Sequence, residues 1–166
     1  LDNCFYTAED KFIGGIKAMM AEEYSRDLSK KIKSSAVRSQ RNGVVFGNNS
    51  MYGYNQANGK LTINEEQAGI VRLVFNMYAN NNGFRLIRNE LSSRGITSYT
   101  GTDFSLTTLK RMIKNPKYKG VLTSGKTNKN FETKKTTQVP VDEQIVIPGG
   151  VPAIVDADLW DRCNVI

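Results

Sequence analysis

Residues 105–119, SLTTLKRMIKNPKYK, hold the chain's densest set of groups able to hydrogen-bond a polyanion. At a helical spacing, Thr107, Thr108, Lys110, Arg111 and Lys114 share one face, and Leu106, Leu109, Met112 and Ile113 form the other. Threonine hydroxyls and methyls can approach base edges, while lysine and arginine take guanine edges or phosphates. A helix that is small and polar at its start and basic further on therefore suits a DNA major groove. Lys117 and Lys119 extend the charge past Pro116. An ordinary amphipathic helix at a basic surface has the same pattern, so taken alone it leaves both readings open.

A second cationic set lies upstream. Arg26, Lys30, Lys31, Lys33, Arg38 and Arg41 are opposed within residues 26–41 only by Asp27. Counted in blocks, the chain carries −3 over residues 1–25, +5 over 26–41, +1 over 42–104, +8 over 105–135 and −4 over 136–166, for a total of +7. Two positive blocks separated by a nearly neutral stretch suggest a long polyanion touched at two places. The alternative is two lysine-rich solvated faces.

Other chemistries are excluded by composition. There is no histidine, which removes imidazole acid–base chemistry, imidazole metal ligands and any Ser–His–Asp triad. Cys4 and Cys163 stand alone, without Cys-x-x-Cys spacing. That rules out a disulfide framework or a cysteine-rich zinc site and fits a reducing, cytoplasmic compartment. Asp156, Asp158 and Asp161 cluster near the end, but capping and helix-dipole charge account for the first two, so we expect no metal and no cofactor. No apolar run approaches membrane-spanning length, and we expect no membrane partner.

Stepping outward from these residues, the pattern predicts an α+β, mainly helical chain. A long helix should run from about Phe12 to Arg41, roughly 45 Å, with Ile13, Ile16, Met20, Tyr24, Leu28, Ile32 and Ala36 along a narrow apolar stripe and Asn42–Gly43 as its stop. A linker then leads to a short hairpin turning at Asn58–Gly59. Asn64 should cap a second helix, with Gln67 completing a capping box and Ile70, Val71, Val74, Phe75 and Tyr78 facing inward. A third helix over 84–95 buries Phe84, Ile87 and Leu91, and Ser105 caps the basic helix. Residues 120–141 have strand-like ends around a lysine-rich middle, either a hairpin against a phosphate backbone or a loose loop. EQIVIPGG is a strand, and Asp156 caps a last helix holding Leu159 and Trp160. We divide the chain into 1–43 and 44–166. It opens on Leu1 and closes at Ile166 inside a helical pattern, and we expect a fragment of a longer protein.

In order along the chain, EEYSRDLSKKI, the YGY after a glycine-containing linker, GKLTINEEQAGIVRLVFNMYANNNG, IRNELSSRGITSYTGTDFS, NPKYKG and PAIVDADLWDRCN resemble the large serine recombinases, which include phage integrases and transposases of mobile conjugative elements. Each piece is modest, and their order makes the match specific. The resemblance implies that residues 1–10 end a catalytic domain, that 1–43 includes the dimerisation and DNA-crossing helix, and that 44–166 is a compact helical recombinase DNA-binding domain with small β-hairpins. Met51 stands where the family usually has Pro, Phe104 where it often has Trp, and Val151 where His is common. The implied parent cleaves four DNA strands through serine nucleophiles, forms 5′-phosphoserine links and rejoins the strands after subunit rotation. That serine and most active-site arginines would lie upstream of Leu1. Arg26 matches an arginine bordering the family's active site and carries over as an accessory phosphate-stabilising residue.

The function expected for this chain is sequence-specific double-stranded DNA binding without catalysis of its own, with self-association as a dimer or tetramer in the full-length protein. The expected DNA contacts are Lys30, Lys33, Arg38, Arg41, Thr107, Thr108, Lys110, Arg111, Lys114, Lys117 and Lys119. The rival is a basic helical module that binds an acidic protein.

Overall fold

A computed structural model describes residues 8–45 and 51–165. The order is α1 (Ala8–Arg41), β1 (Tyr54–Ala57), β2 (Lys60–Ile63), α2 (Glu65–Ala79), α3 (Phe84–Ser93), α4 (Leu106–Lys114), a 3-10 turn at Pro116–Lys119, β3 (Leu122–Ser124), β4 (Thr127–Lys129), β5 (Thr136–Gln138), a second 3-10 turn at Val141–Glu143, β6 (Ile145–Ile147) and α5 (Ala157–Asn164). The fold is α+β and mainly helical. Its strands form three separate antiparallel pairs, β1–β2, β3–β6 and β4–β5.

α1 is described from Ala8, ahead of its apolar stripe, and ends at Arg41, where the Asn42, Gly43 and Val44 amides turn back onto the carbonyls of Arg38, Gln40 and Ser39. At 34 residues it is about 50 Å long. Its stripe is not buried: Ile13, Ile16, Met20, Tyr24, Leu28 and Ile32 are 42–71% exposed. Residues 1–7 and most of the linker, 46–50, lie outside the described residues, as does the chain end at 166.

The β1–β2 hairpin turns on Asn58 and Gly59, both at positive φ (51° and 73°), which matches the right-handed strand twist. α2 starts as expected, with the Asn64 side chain accepting from the Gln67 amide at 3.2 Å. The capping box is only half formed. Gln67 Oε1 accepts from the Gly53 amide at 2.9 Å, and the Asn64 amide donates to the Gly53 carbonyl at 3.0 Å. A tertiary partner thus replaces the local one and ties the helix start to the strand before it.

The core gathers Ala68, Val71, Val74 and Phe75 from α2, Ile87 and Leu91 from α3, Leu109, Met112 and Ile113 from α4, and Cys163 from α5, closed by Tyr52, Tyr54, Phe104, Tyr118, Leu122 and Ile154. Ile70, Tyr78 and Phe84 are half-buried, not fully buried, and Tyr78 stacks on Phe84 with ring centroids 4.7 Å apart. Asp156 stands at the N-cap of α5, but its side chain makes no capping bond; its carbonyl accepts from the Trp160 amide. Residues 120–141 resolve into β3, β4 and β5, and EQIVI supplies β6, paired with β3.

Candidate nucleic-acid interface

α4 is held from both ends and from below. At its start, Ser105 Oγ accepts from the Thr108 amide at 3.0 Å. At its end, Asn164 donates to the Ile113 carbonyl at 2.9 Å and Trp160 Nε1 to the Asn115 carbonyl at 3.1 Å. These bonds satisfy carbonyls that a helix terminus otherwise leaves orphaned. Asn115 Oδ1 accepts from the Lys117 amide, which sets the turn that follows. Buried Leu109, Met112 and Ile113 fix the rotation, so Thr107, Lys110, Arg111 and Lys114 stand exposed on one outward face.

The expected residues divide by what they touch. Thr108 is exposed, but its hydroxyl lies 2.9 Å from Ser105 Oγ and belongs to the cap. Lys110 sits 6.0 Å from the Phe84 ring centroid. Lys119 turns inward, pairing with Asp161 at 2.8 Å and lying 3.9 Å over the Trp160 ring. This pairing accounts for the third aspartate of the terminal cluster. Among the described residues, no group of three or more acids or cysteines could hold a metal. Lys117 is half-buried, and its ammonium is pulled below the usual lysine range, first by burial and then by Lys126. Arg111, Lys114, Lys117, Thr123 and Lys126 line one open groove of about 520 Å³ beside α4. On the other side of the helix, Arg111 also borders a cavity of about 430 Å³ shared with Tyr99, Phe104 and Tyr118.

On α1, Arg26 is surrounded by carboxylates: Glu22, Glu23 and Glu132 each stand 3.4 Å away, and its Nε is buried without an acceptor. Lys30 pairs with Asp27 at 3.3 Å. Lys33 donates to the Lys129 carbonyl at 2.8 Å and to Asn128 Oδ1 at 3.3 Å. Arg26 and Lys33 therefore fasten α1 to the β4–β5 hairpin and its connecting loop. Arg38 and Arg41 are exposed. Arg41 borders a further groove with Lys60, Gly150 and Val151. Ser25 Oγ is engaged with the Ala21 carbonyl at 2.8 Å.

Sequence reasoning passed over Lys126 and Lys60. Lys126 lies within the +8 block, but only the fold brings the β3–β4 connection that carries it to the side of α4. Lys60 was hidden in a hairpin read for its turn.

Comparison with known proteins follows the same outline. The family model described as Recombinase matches residues 65–166. A Bacillus subtilis (strain 168) protein named "Putative DNA recombinase" is 23% identical over 172 aligned residues, covering 92% of this chain and 33% of that protein. Two solved structures share the fold at 15% identity over 81% of this chain. One is described as "Crystal Structure of a LSR-DNA Complex" (TM-score 0.60, 38% of its chain covered), the other as "Sequence Requirements of the Listeria innocua prophage attP site" (TM-score 0.59, 50% covered). The chain thus spans a third to a half of these proteins' lengths. With the family model covering most of the sequence, including every residue from α2 through the basic helix to α5, the chain belongs to the Recombinase family.

Proposed function

We propose that this chain is the DNA-binding part of a serine recombinase that integrates or excises a mobile element, with α4 reading bases in the major groove. One observation carries the reading. The β4–β5 hairpin reaches α1 through Asn128, Lys129 and Glu132, while Lys126 at its base lines the groove beside α4. The hairpin of the second cationic block therefore contacts the helix that carries the first, which supports a single surface for both. A single duplex lying on that surface would meet Arg111 and Lys114 at one end and Arg38 and Arg41 at the other.

Within this reading, residues 44–166 form the DNA-binding domain, and α1 is the dimerisation helix, its exposed apolar stripe covered by a second copy. Cleavage and rejoining belong to the whole recombinase, whose serine and arginines would act on phosphate without imidazole. Arg26, set among three carboxylates, would border that active site. Lys119, committed to Asp161 and Trp160, holds α5 against the turn after α4 and leaves the list of DNA contacts.

The test is selection of duplexes from a random library by the chain, followed by competition. A selected duplex should displace a labelled one at least about a thousand-fold better than random duplex of equal length at physiological salt. Competition by polyglutamate as effective as the selected duplex would favour an acidic protein partner and overturn the reading.

A further inference from the structure

Half-buried cations elsewhere in this fold have acceptors: Lys119 has Asp161, and Arg26 has three carboxylates. Lys117 is different. It lies half-buried in the groove beside α4, where the charge that bears on it is another ammonium, Lys126, and Lys110, Arg111 and Lys114 add three more cations to the same lining. No carboxylate lines that groove, and among the described residues none of these five cations takes part in an ion pair. The backbone keeps them there. The Lys117 amide is held by Asn115 and its carbonyl accepts from the Tyr54 hydroxyl at 3.0 Å, while the Lys126 carbonyl accepts from the Val139 amide at 3.0 Å. Two ammonium groups on one groove, one partly desolvated, repel one another until an anion enters between them.

We infer that Lys117 and Lys126 form a phosphodiester subsite, in which one backbone phosphate of a bound duplex bridges the two ammonium groups and Thr123 supplies a hydroxyl donor. The inference rests on the DNA-binding reading and adds to it a division of labour. Arg111 and Thr107 face the bases, and the 117–126 pair sets the register of α4 by gripping the strand beside it. Lys126 comes from the β3–β4 connection and not from the helix, so the subsite needs that connection in place beside α4.

The experiment uses the full chain and a duplex it has selected from a random library. A scan of single methylphosphonate substitutions removes one phosphate charge at a time. One position should weaken the wild-type chain about three- to ten-fold and leave Lys126→Ala unaffected. Lys126→Ala should bind selected and random duplexes with equal relative loss and lower the salt slope by about 0.9, and Lys126→Arg should restore both. In the free chain, Lys126→Ala should also raise the Lys117 amine pKa, followed by its Cε shift. Losses from Lys126→Ala and methylphosphonate that multiply at every position would overturn the subsite while leaving DNA binding intact. An unmoved Lys117 pKa would overturn it without any DNA. Inorganic phosphate displacing DNA at matched ionic strength would reassign the groove to a free anion and sink the phosphodiester assignment. Failure of the wild-type chain to select any duplex would instead remove the reading beneath it.

Discussion

Arg111→Ala separates base reading from general charge attraction. Arg111 is exposed on α4, and among the described residues it takes part in no ion pair, so its removal breaks no internal salt bridge. Alanine and arginine are both strong helix formers. The loss of one cation from the last turn costs about 0.3–1 kcal/mol at an exposed helix end, and better alanine propensity offsets part of it. Folding stability should therefore change by no more than about 0.5 kcal/mol. Binding should change by more. A side chain that makes a bidentate contact with a guanine edge is worth about 1–3 kcal/mol of discrimination, or about 5- to 150-fold. A phosphate contact would instead cost roughly the same on every sequence. Anisotropy titrations of the selected and random duplexes, at one fixed salt, measure the two losses side by side. The expected result is a loss on the selected duplex at least about five-fold larger than on random DNA, with an unchanged urea midpoint. Equal losses on both would refute the placement of Arg111 at the bases, whatever their size.

Gly53→Ala should destabilise the fold by about 2–4 kcal/mol in urea unfolding, since Gly53 sits at φ +92° and a Cβ there would come within 2.8 Å of Ile154 Cδ1 and 3.1 Å of Val71 Cγ2; a loss under about 0.5 kcal/mol would show that this approach is not close. Lys33→Ala should speed amide exchange in β4 and β5 about three- to ten-fold by removing its bonds to Lys129 and Asn128, with global stability unchanged, and unaltered exchange would detach the hairpin from α1. Burial holds the Tyr54 and Tyr118 phenols neutral well above their ordinary 10.0. Their folded pKa exceeds the unfolded one, so their stabilisation is complete below pH 10 and is lost as pH rises from there toward the folded value. Urea midpoints should fall above pH 10, less steeply in Tyr54→Phe, and a flat profile to pH 11.5 would contradict the burial.

The helices were legible because their signals are local. The period of Val71, Val74 and Phe75 and the caps at Asn64 and Ser105 are written within a few residues of where they act. Ala68 was missed because its small side chain carries no hydrophobic signature, although it is fully buried. Gln67 was read as closing a capping box because Asn64 is three residues away, and Gly53, which takes its bond, is fourteen away. The lysine-rich stretch 120–141 was the least legible part. Its strands are three residues long, and β3 finds its partner only at β6, beyond the β4–β5 hairpin. The outward face of α4 followed from its period, whereas the commitment of Lys119 to Asp161 depended on where α5 docks.

Charge counting also needs the fold. The net +5 over residues 26–41 suggests a uniformly cationic half-helix. In the structure, Arg26 faces three carboxylates, Lys30 faces Asp27, and Lys33 is spent on a carbonyl and an amide oxygen. The cations of the block left for a polyanion are Lys31, Arg38 and Arg41, and Lys60 joins Arg41 on one groove. Glu132 is the lone acid in the +8 block, and it lies against Arg26. The contact that fastens the hairpin to α1 thus consumes the one negative charge the hairpin carries. Its lysines, Lys126 foremost, are left with no acid of their own. The pair neutralises Arg26 in turn, so it orients the hairpin without adding to the positive field of the surface where we place the duplex.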